Sequence, residues 1–165
     1  MEDFSAAKEL FFKHDGSRFY MSRNDVEDVY TAYAVPAALE GQWLEELTER
    51  KLSLLQTSGN WRSIHFFVDH RDCRELTAVL QAKPLGLLWQ RINFVEEQLS
   101  YVEMCHRQGS DLSALRAGTQ QVLANARDLR RSCRSDRSRS RVYRLIAEAE
   151  LANATFGADR GAPRP

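Results

Sequence analysis

The sequence predicts a mainly α protein, a single-domain bundle of about six helices, and three observations lead there. From Leu85 to Phe156 the apolar residues return every three or four positions, the period of a helix that buries one side and wets the other. Turn-forming residues punctuate the periodic runs, with Asp15-Gly16, Pro36, Ser58-Gly59, Pro84 and Gly109 at their ends. The composition, 43% hydrophobic and 28% charged over 165 residues, suits one ordinary core.

Taken in order, Phe4, Ala7, Leu10 and Phe11 place a first helix over about 4–13, with His14 at its C-terminal end before the Asp15-Gly16 turn. Residues 17–22 are ambiguous, because Phe19 and Met21 alternate as a strand would. Asn24 followed by Glu27 has capping-box spacing, and Val26, Val29, Tyr30 and Tyr33 give the short helical face behind it. Pro36 suits the first turn of a helix carrying Leu39, Trp43, Leu47 and Leu54, which Ser58-Gly59 closes. Within 62–68, Ile64, Phe66 and Val68 alternate, while Trp61 and Ile64 also fit a helical turn. If both ambiguous pieces are strands, 17–22 and 62–68 pair as a short two-stranded ribbon. A helix entered at Asp72 is expected over Arg74–Ala82, and Pro84 starts the helix whose stripe is Leu85, Leu88, Ile92, Val95, Leu99 and Val102. Gly109 ends it, and Ser110-Asp111 caps an antiparallel partner.

Residues 1–156 are thereby read as one helical domain, with an aromatic-rich part over 1–83 and a helical hairpin part over 84–156. The tail 157–165 lacks large apolar residues and is expected to be disordered. No stretch approaches the roughly 20 apolar residues of a bilayer-spanning helix. The start of the chain carries Glu2, Asp3, Lys8 and Glu9 where a leader would be basic and then apolar, which points to the cytoplasm. Three widely spaced cysteines, Cys73, Cys105 and Cys133, are odd in number and read as reduced, packed thiols.

Formal net charge is zero, with 23 basic and 23 acidic residues. Arg127–Arg144 nevertheless holds eight arginines against Asp128 and Asp136, a local +6 that leaves −6 for the rest. On one unbroken helix from Asp111 to Phe156, Ala126, Leu129 and Cys133 would point opposite to Val142, Leu145 and Ala149, at about 100 degrees per residue. A single core cannot satisfy both faces, so a break is expected near Ser135–Ser140 with Asp136 or Ser138 as the new N-cap. Arg130, Arg134, Arg137, Arg139, Arg141 and Arg144 then surround a turn and are the candidate partner-binding or anion-binding residues. Arginines at the start of the later helix oppose its dipole and need a compensating anion from elsewhere. The competing reading is a solvated hinge.

Other chemistry is thinly signalled. Glu103 and His106 form a single Glu-x-x-His where dimetal bundles need two, and because His106 continues the seam begun at Leu85, a packed or boundary histidine explains it better than a ligand does. His70 and Cys73 have zinc-like spacing without a second close pair. The aromatics Phe19, Tyr20, Tyr30, Tyr33 and Trp43 lie among acidic residues and either pack the N-terminal helices or form an interface. There is no phosphate-cradling glycine loop, nucleophile elbow or dinucleotide fingerprint, and no cofactor is expected. The sequence therefore favours a non-enzymatic cytosolic interaction module of adaptor, regulator or inhibitor type, binding another protein or a second copy. Binding of nucleic acid or phosphate through 127–144 is the alternative.

Overall fold

In a computed structural model, which describes residues 4–158, the periodicity is realised as nine helices and no strand among the described residues. They are α1 Ser5–Lys13, α2 Arg18–Arg23, α3 Glu27–Thr31, α4 Ala37–Ser58, α5 Trp61–Asp69, α6 Leu76–Gln81, α7 Leu88–Arg107, α8 Leu112–Ser132 and α9 Asp136–Ala158. Packing divides them into two compact units, the first ending at Lys51 and the second starting at Leu52, inside α4. Of the tail 157–165, Gly157 and Ala158 finish α9, and the rest lies outside the described residues.

The mainly α class holds, but the ribbon and the count of about six helices do not. Both ambiguous segments are helical, and each owes this to a cap that alternation alone does not reveal. Ser17 accepts a hydrogen bond from the Tyr20 backbone N–H at 3.4 Å to start α2. Asn60 accepts one from the Arg62 N–H at 3.1 Å to start α5. Along α5 the buried residues are Ser63, Ile64, Phe66 and Phe67, a helical face. A strand would have buried Val68 and exposed Phe67.

In the first unit, α3 packs against α1 and α2, and Ala7, Phe11, Met21, Tyr30, Trp43 and Leu47 are buried. The Phe11 ring sits 5.6 Å from Trp43 and 6.1 Å from Tyr30. Of the acidic-flanked aromatics, Tyr30 and Trp43 are therefore core, whereas Phe19 is exposed beside Tyr20. The Tyr30 hydroxyl donates to Glu40 Oε1 at 2.7 Å, and Arg18 reaches the same oxygen at 2.7 Å while lying over the Tyr30 ring. Burial, and then the bond to Glu40, hold that phenol well above its ordinary pKa. The expected capping box is not made: Asn24 donates back to the Tyr20 carbonyl at 2.7 Å and so closes α2.

In the second unit, α8 is the central rod, in contact with α6, α7 and α9, while α5 packs on α7. Ile92, Val95 and Val102 are buried as the seam predicts, with Phe94, Gln98, Tyr101 and Cys105 beside them. Asp111 caps α8 by accepting from the Ala114 N–H at 2.8 Å. Two boundaries move inward. Asp72 takes the Arg74 N–H at 3.0 Å, so α6 starts only at Leu76. Gly86, at φ +90°, delays α7 to Leu88 and leaves Leu85 and Leu87 outside the helix.

A buried amide pair joins three of these helices. Gln98, fully buried on α7, brings its Nε2 to 3.0 Å from the Val79 carbonyl, 3.4 Å from Leu80 and 3.1 Å from Ala82. These are C-terminal carbonyls of α6 and its cap, the groups a helix end leaves without partners. The Gln98 Oε1 in turn accepts from Asn125 Nδ2 on α8 at 3.2 Å, and Asn125 Oδ1 accepts from Gln121 at 3.0 Å. Close by, Gly118 lets α8 approach α6, since a methyl there would fall 2.8 Å from Leu80 Cβ. Gln98→Leu keeps the volume but abandons the carbonyls, so unfolding free energy should fall by about 2–4 kcal/mol in denaturant titration. A loss below about 0.5 kcal/mol would mean that water satisfies them instead.

Candidate functional site

The arginine-rich segment is a helix, a corner and a second helix. Cys133 leaves the helical conformation at the end of α8, and Ser135 caps α9. Its hydroxyl accepts from the Ser138 N–H at 3.2 Å, and its carbonyl accepts from the Arg139 N–H at 3.0 Å. The break falls where the opposed apolar faces require it, and both faces are now buried: Ala126 and Leu129 on α8, and Val142, Leu145 and Ala149 on α9. The cap is Ser135, not Asp136 or Ser138.

The six candidate arginines divide into two groups. Arg141 and Arg144 turn inward to α7, where Arg141 makes a two-pronged pair with Glu96, with one bond of 2.6 Å, and also reaches Asn93 Oδ1 at 2.8 Å. Arg144 lies 3.3 Å from Glu96 and 3.5 Å from Glu148. The carboxylate of Glu96 raises the pKa of Arg141 further above its ordinary value. For Arg141, in the second turn of α9, it is the compensating anion expected from elsewhere in the fold. Arg139 lies 3.6 Å from the fully exposed Asp136 and donates to the Arg134 carbonyl at 3.4 Å. Arg130 lies over the Tyr143 ring at 5.1 Å. Arg134 and Arg137 are exposed and, with Arg131, make no ion pair among the described residues.

Around Arg130 the surface dips into an open cleft of about 580 Å³, lined by Arg127, Arg130, Arg131, Tyr143, Ile146 and Glu150. Arg127 is paired with Glu150 at 2.8 Å, and Tyr143 is 46% exposed. Arg127, Arg131 and Tyr143 are additions to the sequence-derived set. Tyr143 was detectable as an aromatic off the Val142–Leu145–Ala149 stripe, between two arginines. Comparison with protein-family models, with curated proteins and with solved structures gives no match.

A second surface lies at the loop between α6 and α7. Leu85, Leu87 and Trp89 are 44%, 64% and 53% exposed, and Leu85 and Trp89 border, with Trp61 and Arg62, a cleft of about 390 Å³. The loop is held in place. Gly59, buried at φ +58°, leaves no room for a side chain, since a Cβ there would stand 2.7 Å from the Leu85 nitrogen. Gln90 Oε1 accepts from the Leu87 N–H at 2.8 Å and caps α7. Sequence reasoning missed this surface by continuing the α7 stripe back through Leu85, although Pro84 and Gly86 flag a non-helical lead-in.

The weak metal candidates are drawn into other roles. Glu103 pairs with Arg107 at 2.8 Å, the exposed His106 ring rests 4.9 Å from Phe156, and His70 lies 4.5 Å from the Phe66 ring. Cys73 forms a disulfide with Cys105, which corrects the reading of both as reduced thiols. Odd number and wide spacing in sequence conceal that the α5–α6 corner returns to α7, bringing the two α-carbons to 5.7 Å. The same corner is tied by the Tyr101 hydroxyl, which donates to the Asp72 carbonyl at 2.8 Å. Arg74, through its side-chain hydrogen bonds, holds Asp72 below the usual carboxylate pKa. With two thiols joined, cysteine usage no longer argues for a reducing compartment. In denaturant, alkylation without reductant should label Cys133 alone, and reductant should open the other two sites, as read by mass. Closing a loop of sequence separation 32, the disulfide should contribute about 3–4 kcal/mol, lost on reduction. Equal labelling of all three cysteines before reduction would contradict the assignment.

Proposed function

We propose that this chain is a non-enzymatic helical interaction module that binds another protein through the loop between α6 and α7. What carries the proposal is the exposure of Leu85, Leu87 and Trp89 within five residues of chain, on a backbone fixed by Gly59 and by the Gln90 cap. Large apolar side chains held rigidly in water cost free energy that an interface recovers, and a preorganised loop loses little entropy on binding. Trp and Arg are the residues most enriched at binding hot spots, and Trp61, Trp89 and Arg62 meet at this cleft.

The charge around the cleft describes the partner. Arg62 is its one charged lining residue among those described, stacked 5.5 Å from the Trp61 ring. A partner segment that inserts an apolar side chain and sets a carboxylate beside it matches both features. Such a surface suits an adaptor, a regulator or an inhibitor.

The test uses the full chain as bait in nuclease-treated native extract, followed by titration of the recovered protein in purified form. Leu87→Asp and Trp89→Ala change exposed side chains and should leave the thermal midpoint in place while weakening binding at least about tenfold. Arg131→Ala should bind as the unaltered chain does. If the purified chain self-associates and Trp89→Ala abolishes this, the partner is a second copy. Partners retained by both loop variants would refute the proposal.

A further inference from the structure

All eight cations between residues 127 and 144 are arginine, and none is lysine. Glu150, Glu96, Glu148 and Asp136 partner Arg127, Arg139, Arg141 and Arg144. That leaves Arg130, Arg131, Arg134 and Arg137 as a like-charged group that makes no ion pair among the described residues, the Glu150 carboxylate in the same cleft being taken by Arg127. Like charges gathered so closely repel, and an external anion relieves them. Guanidinium in place of ammonium favours an anion that accepts two parallel hydrogen bonds, as phosphate does.

A second observation narrows the anion. Tyr143, half exposed from α9, stands at the edge of this group with Arg130 over its ring, and Arg130, Arg131 and Tyr143 line one open cleft. An exposed aromatic ring between cations offers a base a flat apolar face beside the phosphate contacts. In a duplex the bases are already stacked inside, so one surface ring gains nothing from them, whereas an unpaired base can lie on it.

We propose that the α8–α9 face binds single-stranded nucleic acid, with Arg130, Arg131 and Arg134 on successive phosphates and Tyr143 against a base. The contact to phosphate is independent of base identity, so binding tolerates many sequences. The proposal does not depend on the α6–α7 loop, whose partner is sought after nuclease treatment.

The experiment is fluorescence anisotropy of a short labelled oligothymidylate, and of a duplex of equal length, with the full chain. The single strand should bind, and about three phosphate contacts predict a loss of roughly tenfold to twentyfold in affinity between about 50 and about 200 mM salt. Arg131→Ala should weaken binding and flatten the salt dependence by about one contact. Tyr143→Ala should weaken single-strand binding about tenfold without changing the salt slope. Arg107→Ala, at an exposed arginine on α7 outside this face, should leave affinity unchanged. All of these side chains are exposed, and an unaltered thermal midpoint verifies the fold of each variant. No binding at the lower salt overturns the proposal. So does a response to Arg107→Ala equal to that of Arg131→Ala, or duplex binding as tight as single-strand binding and indifferent to Tyr143→Ala.

Discussion

The second unit depends on how the short helix α6 ends. Six residues long and followed by a proline three positions past its last residue, α6 has no following turn to close its carbonyls. Gln98 supplies the donors from α7, and Asn125 from α8 fixes the orientation of that amide. An amide rotated by half a turn would set oxygen against oxygen, so the pair specifies one arrangement of three helices as well as stabilising it. The greasy contacts around it could slide by a turn at modest cost, but these bonds could not. Gly118 acts in the same direction by allowing the backbone of α8 to lie against Leu80.

Two surfaces emerge from this frame, and they differ in how they are made. The α6–α7 loop is held by the close approach of Leu85 to Gly59 and by the Gln90 cap, and its apolar side chains remain in water. The α8–α9 corner is a charge problem that is half solved internally. Glu96 takes the two arginines that face α7, and the guanidiniums on the outer side are left to solvent. The internal half weakens the simplest view of the segment, in which all six candidate arginines around the turn serve an external partner or anion. It also compensates Arg141 near the start of α9, while in the first turn itself Asp136 lies against Arg139.

Helices were legible wherever a long periodic stripe ran between clear stop signals, as for α1, α4, α8 and α9, and even the corner at Ser135 followed from the opposed directions of Leu129 and Leu145. Short segments such as 17–22 and 62–68 were less legible, because so few residues carry too few repeats to separate a period of two from one of 3.6. There, single side-chain caps at Ser17 and Asn60 decided the outcome. Seam positions were read as apolar, so the buried Gln98 was invisible until its carbonyl partners were placed. The disulfide and the Tyr143–Arg130 stack join residues 32 and 13 positions apart. Pairings of that kind depend on where helices turn back, which local pattern does not encode. The arginines themselves were plain to see, but their division between internal and external use required the position of Glu96.

The amide pair also bears on how the chain is completed during synthesis. The carbonyl of Ala82 waits 16 residues for Gln98 and 43 for Asn125. Until α7 has left the ribosome, the end of α6 can be satisfied only by water, and until α8 follows, the Gln98 amide lacks Asn125 and Leu80 has no glycine to lie against. The second unit therefore cannot settle stepwise from its N-terminal end as helices emerge, and its last cooperative step waits for the middle of α8. A nascent chain stalled before that point would hold α5, α6 and α7 as separate, loosely gathered pieces, the form in which such a chain is most open to chaperones and to proteolysis.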